Sequence, residues 1–152
     1  MAMRQVIEAI EILDAPITGR EVAALLRERG VLVEDVPVEG DAGRTTFLLM
    51  TIPGSEGKLA GGEAPTLGIV GMLGGIGARP TRIGLVSDAD GAICALATCF
   101  KLSTMNARGD HIKGDVLVAT HICPDAAVIP HHPVPFMNSP VDMRVMNQIQ
   151  VD

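Results

Sequence analysis

The chain has 152 residues, of which 47% are apolar, and a formal net charge of −6 from twelve Lys and Arg against eighteen Asp and Glu. This length supports one domain with a hydrophobic core, and the composition is typical of a globular protein. With three Phe and no Tyr or Trp, the acidic chain lacks the basic and aromatic surface on which nucleic acids bind, so we expect no nucleic-acid partner.

Membrane insertion and a disulfide framework are not expected either. The uncharged stretch of residues 64–78 is interrupted by Gly and Pro, and the acidic N-terminal residues differ from those of a signal peptide. The three cysteines are an odd number and show no CxxC spacing. We therefore expect a cytoplasmic protein with no membrane partner.

Two amphipathic helices are predicted first. Residues 4–14 carry apolar side chains at helical spacing, and Pro16 follows them. Thr18 and Glu21 have the spacing of a capping box at the start of a second helix, and Gly30 stands where that helix ends.

Apolar runs then predict a hairpin and three further strands. Residues 31–38 and 44–52 flank a five-residue loop that contains glycine, which is typical of a β-hairpin. Residues 66–71, 82–87 and 115–120 are short and mostly apolar, which is typical of strands buried on both faces.

The rest of the chain completes an α/β pattern. A helix predicted over residues 88–107 separates the last two strands, which makes a β–α–β unit with parallel strands. Five prolines crowd residues 122–141 and predict an irregular segment, and Asp142 begins a last helix. We expect a single domain over residues 1–152 with three layers, α/β/α, around a mixed and mostly parallel sheet.

A glycine-rich loop follows the third predicted strand, but it does not indicate phosphate binding. Pro80 stands where the third glycine of GxGxxG belongs, and a predicted strand rather than a helix comes next. Gly71, Gly74, Gly75 and Gly77 are instead expected to allow close backbone packing at the mouth of a site.

Asp88 and Asp90 follow a predicted strand and open a predicted helix. Open α/β sheets bind ligands at the carboxyl ends of their strands, where two carboxylates can bind a metal ion or act as acid and base. The structural alternative is that Asp88 caps the helix and Asp90 complements its dipole. The sequence leaves both interpretations open.

All four histidines fall within 22 residues, at His111, His121, His131 and His132. His121 ends a predicted strand at the edge where Asp88 emerges, so we expect their side chains within about 10 Å of each other. Asp125 follows four residues later, and imidazole with carboxylate suits zinc or another first-row divalent ion. The alternative is that histidines in a Pro-rich loop are simply solvated.

The cysteines offer one further candidate. Cys123 lies beside His121 and Asp125 in the sequence and is the one plausible thiol nucleophile. Cys94 and Cys99 fall on a predicted helix, where cysteine is more often a small hydrophobic residue.

Three motifs, PTLGIVGMLGGIG, LVSDADGAICALA and GDVLVATHICPDA, resemble in this order the start of the zinc-dependent exopeptidase fold. In that fold one strand ends in His-x-Asp, a later Asp opens a helix, and a further strand ends in an acidic motif. The resemblance implies that Asp88 or Asp90 corresponds to the metal-bridging Asp and that residues 123–125 correspond to the start of the acidic motif. It covers most of residues 3–127.

The sequence departs from that family at four positions. Met72 and Gly74 occupy the positions of its His and Asp ligands, and Ala126 and Ala127 occupy those of its glutamate pair. The chain more closely resembles the uncharacterised domain-of-unknown-function family 1177, through SDADGA, THICPDA and PHHPVPFMNSPVDM at residues 130–143. Because chains of that family are longer, this one is expected to be the N-terminal portion of a chain of about twice its length.

Together these features predict a diverged hydrolase that acts on a small amide or peptide-like metabolite with a zinc-like divalent ion. Asp90 or Asp125 is expected to take the proton from water. The alternative is an inactive exopeptidase-like protein that serves as a binding or assembly module. In both cases we expect a homo-oligomer or packing against a missing C-terminal half. The predicted metal ligands are Asp88, His121, Asp125, His131 and His132.

Overall fold

The computed structural model describes residues 3–14, 17–41, 43–72, 89–124, 128–133, 136–137 and 139–151. Four α-helices and six strands fall within this part of the chain. The helices are α1 (Met3–Leu13), α2 (Gly19–Glu28), α3 (Asp90–Asn106) and α4 (Met143–Gln150). The strands are β1 (Leu32–Gly40), β2 (Gly43–Ile52), β3 (Leu67–Gly71), β4 (Val116–Ile122), β5 (Val128–Ile129) and β6 (Phe136–Met137).

The two N-terminal helices form as the sequence predicts. The backbone N–H of Glu21 donates to Oγ1 of Thr18 at 3.3 Å, and the N–H of Thr18 donates to the Glu21 carboxylate at 2.8 Å, so the capping box is complete. Gly30 follows the end of α2 with a φ of 77°, the left-handed conformation that favours glycine. Pro16, expected to close α1, lies outside the described residues.

The main sheet is mixed, with strand order β1-β2-β4-β3. The prediction of a mostly parallel sheet is wrong for the described strands: β1–β2 and β2–β4 are antiparallel, and β3–β4 is parallel. The reason is that β2 brings the whole hairpin against β4. The hairpin is also tighter than expected, because its strands extend to Gly40 and Gly43. The predicted strand at residues 82–87 lies outside the described residues.

Helices α1, α2 and α3 cover one face of the sheet. Their apolar side chains form the main core with alternate residues of the strands, including Leu48, Met50 and Val118. A second, smaller cluster lies on the opposite face, where Phe47 packs with Val141 and with Met146 of α4. The three-layer arrangement remains a prediction, because α4 covers only one end of that face.

The expectation that β3 and β4 are buried on both faces is wrong for β3 and for Leu117 at the start of β4. Val70 is 42% exposed and Leu117 is 47% exposed. Register places Val70 opposite Ala119 and Leu117 opposite Gly68, on the face away from the main core. Among the described residues no helix covers this part of the sheet, which explains the exposure.

The Pro-rich segment contains more order than expected. Strands β5 and β6 pair antiparallel, with Val128 opposite Met137 and Ile129 opposite Phe136. The two short strands fit between the prolines, which lack the N–H that a ladder needs. The last helix is confirmed, because the Asp142 carboxylate accepts the N–H of Val145 at 2.9 Å and caps α4. Within the described range, no helix is long and apolar enough to cross a membrane.

Candidate functional site

His121 is the most unusual polar side chain of the sheet. It lies one residue before the end of β4 and is 5% exposed. Its register partner on β2 is Phe47, and the two rings lie 5.4 Å apart between centroids. The Nδ1 atom is buried and has no hydrogen-bond partner among the described residues. Because buried polar atoms are normally satisfied, this nitrogen calls for an explanation.

The electrostatic consequence is a neutral imidazole. Burial lowers the pKa of His121 from 6.5 to about 4. A neutral imidazole offers one nitrogen lone pair, which accepts a proton or binds a metal ion. His121 therefore has the chemical form that a metal ligand or a general base requires at neutral pH.

The carboxyl end of β3 lies beside β4 and against the start of α3. The hydroxyl of Thr120 donates to the carbonyl of Gly71 at 2.8 Å, which joins the ends of the two strands. A Cβ on Gly71 would collide with the backbone carbonyl of Gly91 in the first turn of α3. The expected close backbone packing is thus present at Gly71, and it brings the first turn of α3 to this edge of the sheet.

Asp90 lies in that first turn and is exposed. It is not the N-cap, because Ala89 takes that position and no side chain caps the helix with a hydrogen bond. A carboxylate in the first turn still complements the helix dipole. Asp90 and His121 therefore share one edge of the sheet, although α3 packs on the face opposite the one that His121 occupies.

Several predicted site residues cannot be placed beside this edge. Asp88 and Asp125 lie outside the described residues, so the expected separation of Asp88 and His121 stays a prediction. His131 and His132 are exposed between β5 and β6. Within the described ranges, no three His, Cys, Asp or Glu side chains form a group that could hold a metal ion.

Met72 is described, and it is apolar where the exopeptidase resemblance implies a metal-binding His. Its side chain packs against the second cluster, which contains Phe47. Gly74, Ala126 and Ala127, the other three departures, lie outside the described residues. At Met72 this edge of the sheet therefore presents apolar surface rather than a metal ligand.

The cysteines are structural where they are described. Burial raises the pKa of the Cys99 thiol to about 12, and its sulfur lies 3.5 Å from the sulfur of Met50. Cys123 is buried, and its thiol donates to the carbonyl of Arg44 at 3.4 Å. Cys94 is exposed on α3. A buried thiol that donates to backbone is not the form of an activated nucleophile.

Asp115 has a role that sequence reasoning missed. Its carboxylate accepts the backbone N–H groups of Gly54 at 2.9 Å and Leu59 at 3.1 Å. Those bonds, that of Gly54 first, lower the pKa of Asp115. Asp115 thus anchors the loop that follows β2 to the start of β4. Two features of the sequence could have indicated this role. Asp115 stands directly before an apolar strand, and the loop after β2 is rich in glycine.

A comparison with known protein families shows to which family the chain belongs. Residues 36–152, more than half of the chain, match the family described as "Protein of unknown function (DUF1177)". The chain belongs to the DUF1177 family. This confirms the resemblance drawn from the SDADGA, THICPDA and Pro-rich motifs. No curated protein matches the chain in sequence.

Two solved structures are similar to this DUF1177 chain. Leucyl aminopeptidase from Leishmania major in complex with actinonin matches 86% of the chain with 15% identity and a TM-score of 0.49. Glutaminyl cyclase from an Acidobacteriales bacterium matches 83% with 13% identity and a TM-score of 0.47. The chain spans 29% of the aminopeptidase chain and 43% of the cyclase chain.

Proposed function

We propose that this DUF1177 chain takes part in the hydrolysis of a small amide or peptide-like molecule with the help of a zinc-like divalent ion. The reaction would take place at the carboxyl edge of β3 and β4. The observation that carries the proposal is the buried Nδ1 of His121, which has no hydrogen-bond partner among the described residues. A bound ion or a substrate would satisfy that atom.

The expected donor set fits such an ion. His121 provides a neutral imidazole, Asp125 follows it by four residues in the sequence, and Asp88 comes two residues before Asp90 of α3. Nitrogen and carboxylate ligands together suit zinc and other first-row divalent ions. When bound, such an ion lowers the pKa of a water molecule and so makes hydroxide available near neutral pH.

The remaining groups have simpler roles in the proposal. Asp90 is exposed in the first turn of α3 and can accept a proton from water, as can Asp125. Phe47, packed against the His121 ring, excludes water from one side of the imidazole. His121 then stays unprotonated and available as a ligand.

Metal analysis of protein purified without a His tag tests the proposal. Wild-type protein should hold about one divalent ion per chain, and His121→Gln should lose it. His111→Gln is the matched control, because His111 is exposed in the loop after α3 and should leave the ion in place. Wild-type protein that stays free of metal after incubation with zinc would overturn the proposal.

Activity is the second readout. A panel of aminoacyl anilides and small amides should be hydrolysed by the metal-loaded wild-type protein, with the rate falling at least about a hundredfold in Asp90→Asn if Asp90 takes the proton. Asp110→Asn, an exposed carboxylate beyond α3, should keep the wild-type rate. Full metal occupancy without hydrolysis of any substrate in the panel would count against catalysis and favour the alternative below.

One observation favours a second function, an inactive binding or assembly module. Leu32 and Leu117 lie in one row across the sheet, on the face away from the main core, and are 56% and 47% exposed. Exposed apolar surface of this kind is typical of protein interfaces. Sedimentation equilibrium should then show association that Leu117→Ser weakens. A wild-type monomer at every concentration would remove this alternative.

A further inference from the structure

A polar cleft lies between the start of α1 and the end of α3, far from the edge discussed above. It has a volume of about 450 Å³. Because α3 has 17 residues, its two ends are about 25 Å apart, with Asp90 at one end and this cleft at the other. The α1–α3 cleft is therefore independent of the proposed hydrolytic site.

The cleft concentrates positive charge in an acidic protein. Four of the twelve basic residues line it, Arg4, Arg29, Lys101 and Arg108, together with one carboxylate, Glu8. Glu8 is already paired, since its Oε1 lies 2.7 Å from Nη2 of Arg29. Within the described ranges, no carboxylate pairs with the other three cations. Clustered charge of one sign in a concave surface attracts ligands of the opposite sign.

Arg29 is held in place for this role. Its guanidinium carbon lies 4.1 Å from the centre of the Phe100 ring, and its Nη2 donates to the Glu8 carboxylate. Among the described residues Glu8 alone bonds to that guanidinium, so its remaining N–H groups form a planar donor set, which suits a phosphate. Because the side chain is already ordered, binding costs little additional side-chain entropy.

The end of α3 carries a partial negative charge from the helix dipole, equivalent to about half an elementary charge. The four positive charges, less the one that Glu8 neutralises, outweigh it. Lys101 lies in the last part of α3 and Arg108 lies just beyond its C-cap, and both line the cleft. The local field in the cleft thus favours an anion despite the direction of the helix.

A second observation points to a ligand that also has a hydroxyl group. Gln5 lines the cleft and is 9% exposed, and its Oε1 has no hydrogen-bond partner among the described residues. An amide oxygen accepts hydrogen bonds and donates none, so a phosphate group alone does not satisfy it. Because Oε1 itself is buried, the Gln5 side chain would turn its amide towards the cleft to accept a hydrogen bond from a hydroxyl group beside the phosphate.

We propose that the α1–α3 cleft binds a small phosphate monoester that carries a free hydroxyl group. Arg29, Lys101 and Arg108 bind the phosphate, and Gln5 accepts the hydroxyl hydrogen. The cleft volume lies within the range of about 300–1,000 Å³ that small-molecule sites occupy.

Titration monitored by amide chemical shifts tests this site. Glycerol 3-phosphate and inorganic phosphate are the probes, with sodium chloride at matched ionic strength as the reference. We expect saturable shifts at the amides of Thr104 and Ala107, with glycerol 3-phosphate binding several-fold more tightly than phosphate. Loss of a charge-assisted hydrogen bond weakens binding about tenfold, so Lys101→Ala with Arg108→Ala should weaken both probes at least tenfold.

Two further variants test which residues are responsible for the binding of the two probes. Gln5→Leu should remove the advantage of glycerol 3-phosphate and leave phosphate binding unchanged. Arg20→Ala, on the exposed side of α2, should change neither affinity. Shifts that sodium chloride reproduces, equal affinity for the two probes, or an unchanged affinity in the double variant would each overturn the proposal. Circular dichroism confirms that every variant keeps its fold.

Discussion

The imidazole of His121 lies against the phenyl ring of Phe47, with 5.4 Å between the ring centroids and 52° between the ring planes. The two residues are register partners on β4 and β2, so backbone pairing fixes the contact. Because Phe47 is fully buried, apolar surface replaces water on one side of the imidazole. This burial is what lowers the pKa of His121 to about 4.

The free energy of unfolding should therefore fall as the pH drops from about 6.5 to about 4. In the unfolded chain His121 takes up a proton at its ordinary pKa of 6.5, whereas the folded protein resists protonation until about pH 4. The contribution of neutral His121 to the free energy of unfolding is fully present above pH 6.5 and is lost as the pH falls from 6.5 to about 4. At about 1.4 kcal/mol for each pH unit, the loss attributable to His121 is roughly 3 kcal/mol.

Urea unfolding between pH 8 and pH 4 in the presence of EDTA measures this loss, because the chelator leaves the proton as the titrating species. His121→Gln should flatten the dependence in that window, whatever its effect at pH 8. His111→Gln, exposed in a loop, should keep the wild-type slope. Identical pH dependence in wild type and His121→Gln would contradict the prediction.

Gly71→Ala should destabilise the protein by about 1–3 kcal/mol, as overpacking usually does. The added Cβ would meet the carbonyl of Gly91 and lie 3.3 Å from Cβ of Ala95, both in α3. Gly68→Ala in the same strand is the control, because its Cβ would meet nothing within 4 Å. Urea unfolding gives both free energies. Equal effects of the two substitutions would show that α3 does not approach β3 this closely.

Local signals in the sequence were enough to predict most elements. The capping box at Thr18, the apolar spacing before Asp14 and the N-cap at Asp142 each depend on residues within one or two helical turns. Strand direction was harder, because it depends on which distant strand lies alongside. The prediction of a mostly parallel sheet failed where β2 packs against β4, a pairing between residues about 70 apart in the chain.

In the candidate site, too, local sequence predicted some features, whereas others depend on residues far apart in the chain. Sequence spacing singled out His121 at the end of an apolar strand, and the structure does bury it there. What the spacing could not provide is the environment of Nδ1, which depends on Phe47 across the sheet. Spacing also placed Asp90 at the start of α3, but it did not show that Ala89 rather than an Asp takes the N-cap position.

Thr18→Ala should lower the free energy of unfolding by about 1 kcal/mol. The substitution removes the hydroxyl that accepts the N–H of Glu21 and leaves that donor unsatisfied at the start of α2. Thr66→Ala, at an exposed position before β3, provides the control for loss of a threonine side chain. Chemical unfolding followed by circular dichroism gives both values. A Thr18→Ala protein as stable as the Thr66→Ala protein would show that the cap contributes nothing.

Asp115→Asn should loosen the loop between β2 and β3 and lower the melting temperature. The carboxylate accepts the N–H groups of Gly54 and Leu59 with different oxygens, whereas an amide has one acceptor oxygen and presents an N–H₂ group to the second donor. Hydrogen exchange at the Gly54 and Leu59 amides should accelerate. Asp110→Asn, exposed in the preceding turn, should leave both rates unchanged.

The difference in the free energy of unfolding between wild type and Asp115→Asn should depend on pH in a definite direction. Because the backbone N–H groups of Gly54 and Leu59 lower the pKa of Asp115, its contribution to stability is present above the pKa of the unfolded chain, about 3.9, and is lost as the pH falls further. The gap between wild type and Asp115→Asn should therefore be widest near pH 7 and should narrow below about pH 4. Urea unfolding at pH 7 and pH 3 measures it, and a gap that is the same at both values would show that the charge of Asp115 does not hold the loop.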